Sequence, residues 1–327
     1  GTAGTSNVVA VLLNAGGHFS AATEYPVGMG PTALTSADFN HDGYADLAVA
    51  NVCGSNPNCQ QGSVSILLNK GDGTFSPQVQ YATGVSPESI ASGDFNGDGI
   101  PDLAVTNVIN GVKGKTSVLL NNGDGTFAPP VSYAVGINPY GVTVGDFNGD
   151  GKLDLAVVNN GTSQSGTFSI LLGNGDGTFQ AAQNYLTGHV SAASIAAADL
   201  NGDGLLDLVI GNTSAVSILP GKGDGTFQAA QSFASINGDD LSVVVADINH
   251  DGKLDVAVSG QSISGDASFA VLLGNGKGAF QAPLQYVAPG GRQIAGADFN
   301  GDGKIDIVAT DSLATDNSVT LYLNNNK

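Results

Sequence analysis

Six nine-residue stretches concentrate the side chains that could do chemistry: DFNHDGYAD at 38–46, DFNGDGIPD at 94–102, DFNGDGKLD at 146–154, DLNGDGLLD at 199–207, DINHDGKLD at 247–255 and DFNGDGKID at 298–306. In each, oxygen-bearing side chains stand at positions 1, 3, 5 and 9, with Gly at position 6. Alternate residues of a tight loop can turn inward together, and Ca²⁺ takes about six to eight oxygens at roughly 2.3–2.6 Å. The spacing therefore predicts six calcium cages, each closed by a backbone carbonyl from position 7. The expected ligands are Asp38, Asn40, Asp42, Tyr44 and Asp46 in the first loop, then Asp94, Asn96, Asp98, Ile100 and Asp102 in the second. Asp146, Asn148, Asp150, Lys152 and Asp154 serve the third, and Asp199, Asn201, Asp203, Leu205 and Asp207 the fourth. Asp247, Asn249, Asp251, Lys253 and Asp255 follow, and the last set is Asp298, Asn300, Asp302, Lys304 and Asp306. Side chains at position 7 vary because only their carbonyl is needed.

Other readings of these loops are weaker. An EF-hand shares the first half of the pattern but needs Glu at position 12 and flanking helices, whereas position 12 here is apolar and lies in a β-like run. Mg²⁺ prefers near-octahedral sites that retain water. Six metal-free Asx-turns would leave three carboxylates in nine residues repelling one another.

The elements that must position these loops are legible from self-similarity. A second phrase alternates with the first, GGHF, GDGTF or GKGAF, ending at Phe19, Phe75, Phe127, Phe179, Phe227 and Phe280. Six residues after each stands an aromatic: Tyr25, Tyr81, Tyr133, Tyr185, Phe233 and Tyr286. Between the phrases lie short runs of Val, Ile and Leu bounded by Gly, Asn and Asp, which read as strands joined by tight turns. Each unit gives four: A ending at the Asp loop, B leaving it, C, and D carrying the repeated aromatic. The GDG of the second phrase supplies the positive φ that a C–D turn requires. Four antiparallel strands repeated about every 50 residues predict an all-β propeller of four-stranded blades, a single domain over 1–327. The uneven spacing of the loops argues against a linear solenoid, and the small residues of strand A suit a crowded ring axis.

The six Asp loops predict six blades over 33–327, yet seven C-like strands occur, from VVAVLLN at 8–14 to SVTLYLN at 318–324. Residues 1–32 thus hold a surplus C strand and a D strand around Tyr25, expected to complete the last blade or to pair elsewhere. A seven-bladed ring would need further strands upstream.

The phrases resemble the FG-GAP, or VCBS-type, repeats of the integrin α-subunit propeller and of propeller lectins, over nearly the whole chain. The Asp, Asn and Gly positions match at all six loops, while the FG and GAP elements are degenerate and the family usually has seven blades. The resemblance implies Asp loops on a lower face and ligands on the opposite face, built from B–C and D–A loops. There the repeats differ: NVCGSNPNCQQG at 51–62, NVINGVKGK at 107–115, NNGTSQSG at 159–166 and NTSA at 212–215. Among the D–A loops, Glu88, Tyr140, His189, Asp239, Asp240 and Arg292 stand out as the candidate ligand face.

Bulk composition narrows the partners. Net charge is −19, with 29 acidic against 10 basic residues, and no basic patch exists to release counterions from nucleic acid or an anionic membrane. No apolar run approaches the length of a membrane span, no signal peptide is visible, and the start reads as a mature or trimmed end. Cys53 and Cys59, the chain's two cysteines, lie in a Gly/Asn/Pro stretch where a turn can bring them into disulfide range, which points to an oxidising, extracellular or cell-surface setting.

Calcium ligands that recur in every unit are expected to be structural. A carbohydrate or protein ligand, bound as by a lectin or adhesion module, follows from the variable face. The alternative is a filament or surface subunit, self-associating through the surplus edge strand. A polysaccharide lyase or hydrolase is disfavoured: His41 and His250 sit inside Asp loops, His18 in a hairpin turn, and Asp239 and Asp240 are adjacent rather than facing across a cleft. No catalytic residue is assigned.

Overall fold

The computed structural model describes residues 7–16, 18–55, 58–162, 165–262, 267–287, 293–310 and 319–325. The chain folds as six blades on one four-stranded antiparallel plan, set radially, without helices among the described residues. A two-stranded hairpin comes first, β1 (Val8–Val11) and β2 (Thr23–Pro26). The first blade follows: β3 (Met29–Ala37), β4 (Asp46–Gly54), β5 (Ser63–Leu67) and β6 (Val79–Ala82). The second is β7 (Pro87–Gly93), β8 (Asp102–Asn107), β9 (Lys113–Leu119) and β10 (Val131–Ile137). The third is β11 (Pro139–Gly145), β12 (Asp154–Thr162), β13 (Ser165–Leu171) and β14 (Gln183–Leu186).

The fourth and fifth blades share long strands. β15 (Ser194–Ala198) is the fourth blade's A strand, and β16 (Asp207–Leu219) supplies both B and C, reversing at Ser214 with φ 60°. β17 (Gln231–Ala246) runs from the fourth blade's D strand into the fifth blade's A strand, followed by β18 (Asp255–Ser262), β19 (Ala267–Leu272) and β20 (Leu284–Val287). β21 (Ile294–Ala297), β22 (Asp306–Thr310) and β23 (Val319–Tyr322) give the sixth blade its A, B and C strands among the described residues.

Why blades form is local. Val, Ile and Leu alternate with small polar residues in B and C, and both faces of these strands are covered by neighbouring blades, so Leu103, Val105 and Leu119 are fully buried. Each such side chain contributes about 1.5–3 kcal/mol relative to exposure. The core lies between blades: Phe39, Val64 and Ile66 of the first pack on Leu103, Leu119 and Phe127 of the second. The A strands of successive blades touch one another and form the inner ring, as their small side chains predict.

One rule governs the seams. From the first blade to the fifth, the aromatic of a D strand meets the hairpin Phe of the next blade edge to face, as Tyr81 with Phe127, Tyr133 with Phe179 and Phe233 with Phe280, at centroid separations of 5.5, 5.6 and 5.3 Å. In the first three blades the Phe that follows the first Asp of the loop meets the same hairpin Phe, as Phe95 with Phe179 at 5.4 Å.

The N-terminal hairpin obeys this rule too. Tyr25 meets Phe75 of the first blade at 5.4 Å, and Phe19 meets Phe299 of the sixth at 5.7 Å. Asn14 Nδ2 donates to Phe299 O at 2.7 Å, as Asn121 Nδ2 donates to Phe39 O at 2.9 Å between the first two blades. The surplus C strand therefore pairs with its own D strand, and the hairpin wedges between the sixth and first blades instead of completing the sixth. The D strand around Tyr25 pairs with β1, which lies next to it in the chain and reaches it by closing only a local loop.

Candidate functional site

Because A and B are antiparallel, the Asp loops and C–D hairpins share one face, and the B–C and D–A connections share the other. Each Asp loop is held by its own carboxylates. Asp38 accepts the Asp42 and Gly43 amides at 3.1 and 2.8 Å, Asn40 Oδ1 accepts the Asp42 amide at 3.1 Å, and Asp42 accepts the Tyr44 amide at 2.9 Å. The other loops repeat this network: Asp94, Asp146, Asp199, Asp247 and Asp298 each accept the amide of the position-6 glycine at 2.8 Å. Gly43, at φ 87°, supplies the left-handed turn that brings these amides round.

The ninth-position Asp does something the sequence did not reveal. Asp102 is fully buried, and its two oxygens accept the amides of Phe95 at 3.0 Å and Asn121 at 2.8 Å, pinning the start of the loop to the end of strand C. Asp46, Asp154, Asp207, Asp255 and Asp306 repeat the bond to strand C, from Asn69, Gly173, Gly221, Gly274 and Asn324. Burial pushes Asp102 and Asp154 up to about 6, against the pull of those amides, with the nearby loop carboxylates adding to the rise.

The donor chemistry of the loops fits a hard cation. Positions 1, 3 and 5 offer side-chain oxygens that amides hold in place, and each carboxylate keeps lone pairs beyond those the amides use. Among the described residues no three His, Cys, Asp or Glu side chains stand together as a cage, so an ion here would draw on Asn oxygens and backbone carbonyls as well. At position 7, Lys152, Lys253 and Lys304 turn back on position 5, with ammonium-to-carboxylate distances of 3.9, 3.0 and 4.0 Å to Asp150, Asp251 and Asp302.

The opposite face carries a cavity of about 670 Å³ at the mouth of the inner ring. Residues at or just before the start of the A strands surround it, from Thr32, Glu88 and Tyr140 through Ser194 and Ser242 to Gln293. Hydroxyls of one blade hold the A strand of the next: Thr32 Oγ1 donates to Pro87 O at 2.9 Å, and Thr106 Oγ1 to Tyr140 O at 3.0 Å. Ser194 Oγ is buried with no hydrogen-bond partner, so one polar atom at the mouth is unsatisfied. Burial raises the Glu88 carboxyl, and burial followed by the charge of Glu88 raises the Tyr140 hydroxyl, which places the two side chains in one electrostatic environment.

Of the residues that differ between D–A loops, Glu88 and Tyr140 thus meet at one site. His189 does not line it: Nε2 lies 2.6 Å from Ser232 Oγ, and its carbonyl accepts Gly166 N and Thr187 Oγ1, which builds the loop. Asp239 and Asp240 sit in β17, paired at the backbone with Gln261 and Gly260. Arg292 lies outside the described residues, next to Gln293 of the mouth. Cys53 and Cys59 form a disulfide in the first B–C connection, Cα atoms 3.9 Å apart. His41 and His250 take φ of 62° and 63° where other loops have Gly, and so serve loop geometry. Asn160 belongs to the variable 159–166 segment, whereas Ser194 and Gln293 escaped the sequence reading because a lone polar residue in a turn carries no signal until the ring gathers it with others.

Comparison with known proteins accords with this architecture. The FG-GAP-like repeat family matches residues 52–105, 107–157, 157–210 and 199–258, and the FG-GAP repeat family matches 30–67. A comparison with curated proteins finds no match. Among solved structures, an Agrocybe aegerita lectin described for specific recognition of non-reducing terminal N-acetylglucosamine is 20% identical, with a TM-score of 0.60 over 100% of this chain and 89% of that one. The BP39L lectin from Burkholderia pseudomallei is 12% identical, with a TM-score of 0.67 over 98% of this chain and 92% of that one. At these identities the likeness is one of fold.

Proposed function

From the premise that this chain belongs to the FG-GAP-like repeat family, we propose that it is an extracellular ligand-binding module that recognises carbohydrate at the axial mouth, with calcium in the Asp loops stiffening the opposite face. The observation that carries this reading is the convergence of Glu88, Tyr140, Asn160, Ser194 and Gln293 on one cavity, with the Ser194 hydroxyl unpartnered. Sugar rings present hydroxyls in several directions and a flat C–H face. A carboxylate, an amide and a hydroxyl match the first, and Tyr140, 38% exposed, offers a ring for the second. The two lectins that share the fold support the same ligand class by architecture.

Binding fits the mouth better than hydrolysis, because Glu88 is the one carboxylate among its described lining residues and a glycosidase sets two across the bond. The disulfide and the family's repeats support secretion or surface display. In the Asp loops, the residues holding calcium are those at positions 1, 3 and 5, with the carbonyl of position 7. The ion neutralises carboxylates that otherwise repel, and the chain's own amides keep the donors in place.

A glycan array followed by calorimetry on any hit tests the ligand reading. Tyr140→Ala is expected to weaken binding at least ~10-fold, the order of a lost aromatic contact with its buried area. Binding unaffected by both Tyr140→Ala and Glu88→Gln would remove the mouth as the site. Chelation tests the metal: the melting temperature is expected to fall with EDTA and recover with Ca²⁺. An unchanged temperature would refute the calcium assignment.

A further inference from the structure

The mouth of the inner ring offers hydrogen-bond acceptors whose neighbouring donors are already committed. Glu88 is the one carboxylate among its described lining residues, and no described residue donates to it or pairs with its charge. The hydroxyls nearest to it in the fold serve the backbone instead. Thr32 Oγ1 donates to Pro87 O at 2.9 Å, while Thr106 Oγ1 accepts the Ser89 amide at 3.0 Å and donates to Tyr140 O at 3.0 Å. Asn160 Nδ2 donates to Ala192 O at 3.4 Å, which leaves its Oδ1 as a further acceptor. Ser194 Oγ, buried and unpartnered, adds its lone pairs.

Charge points the same way. No described lining residue is cationic, and the chain carries a net −19, so a positively charged ligand is drawn towards it. Burial penalises the ionised Glu88 carboxyl, a cost that an ion pair with a ligand offsets. Tyr140 shares the electrostatic environment of Glu88, and the face of its ring attracts a cation. An ammonium has three donors and no acceptor, the complement of this set. An acetamido group in its place leaves the Glu88 charge without a counter-ion.

Resting on the reading of this mouth as a carbohydrate site, we infer that its ligand is a saccharide bearing a free primary amine, a de-N-acetylated hexosamine, whose ammonium pairs with Glu88 beside the Tyr140 ring. Asn160 Oδ1 and Ser194 Oγ then serve the hydroxyl donors of the sugar.

Calorimetry on the whole chain with a glucosamine oligosaccharide and its fully N-acetylated counterpart tests this. The free-amine oligomer is expected to bind at least ~10-fold more tightly, the scale of a charge-assisted hydrogen bond, with an affinity that falls as salt rises. Glu88→Gln keeps the size of the side chain and should abolish that preference, with folding checked by circular dichroism. Equal or tighter binding of the acetylated oligomer overturns the inference, the result expected if Glu88 already has its counter-charge within the protein. If that binding is lost in Tyr140→Ala, the carbohydrate reading stands without the amine. A preference that survives Glu88→Gln also overturns the inference, as does an oligolysine of equal charge binding as tightly, which would give the mouth to a peptide. Silence towards both oligomers overturns it too, and the glycan array then decides the carbohydrate reading by itself.

Discussion

Phe39 and Phe127 lie on different blades, and their rings meet edge to face with centroids 5.6 Å apart and planes at 71°. Tyr81 touches the same Phe127 at 5.5 Å, so one hairpin side chain is gripped by two aromatics of the blade before it. Phe127→Ala is expected to cost about 3–5 kcal/mol in denaturant unfolding, the range for a buried Phe. Phe19→Ala should cost less, because Phe19 is less buried than Phe127.

Asp102 separates structural from metal-binding roles. Removing its carboxylate leaves the amides of Phe95 and Asn121 without their acceptor. Asp102→Ala is predicted to destabilise by about 2–4 kcal/mol, since an unsatisfied buried donor costs about 1–3 kcal/mol. The loss should persist in EDTA, whereas Asp98→Ala, altering an exposed loop carboxylate, should cost stability chiefly when Ca²⁺ is present. Equal chelator dependence of the two would contradict the division.

The lysines at position 7 should grade the loops. Lys253 lies 3.0 Å from Asp251 and supplies positive charge where the ion would, whereas Ile100 and Leu205 supply none. Calcium is predicted to bind the loops with Tyr44, Ile100 or Leu205 more tightly than those with Lys152, Lys253 or Lys304. Calorimetry should resolve two classes of site, and Lys253→Leu should move one site from the weak class to the tight one.

Glu88 makes stability depend on pH in a defined direction. Burial raises its carboxyl above the ordinary 4.5, so the folded protein holds that proton at pH values where the unfolded chain has released it. This group's penalty is thus fully present above the raised value and disappears as pH falls through it towards 4.5. Glu88→Gln should raise the melting temperature at pH 7, with the advantage gone at pH about 4. A gain that is constant with pH would assign the effect to packing.

Much of this was legible in the sequence because repetition turns weak local signals into strong ones. The DFNGDG phrases place the A–B reversals, and GDGTF places the C–D turns. Glu88 and Tyr140 were found by asking where repeats disagree, and the inner ring brings them to one mouth. His189 met the same criterion, but Ser232 draws its ring aside, a contact between residues far apart in sequence. The ninth-position Asp reads as a metal ligand, since the nine-residue phrase does not contain the strand C amide that it also holds. The place of β1 and β2 was ambiguous because it is decided at seams with Phe75 and Phe299, at opposite ends of the chain.

That placement has a mechanical consequence. Every other pair of neighbouring blades is joined by a D–A connection of the backbone, but the N-terminal hairpin and the sixth blade are joined by the Phe19–Phe299 ring contact and the Asn14–Phe299 hydrogen bond. At this seam the side chains of Phe19, Asn14 and Phe299 carry, among the described residues, a join that the main chain makes between the other blades.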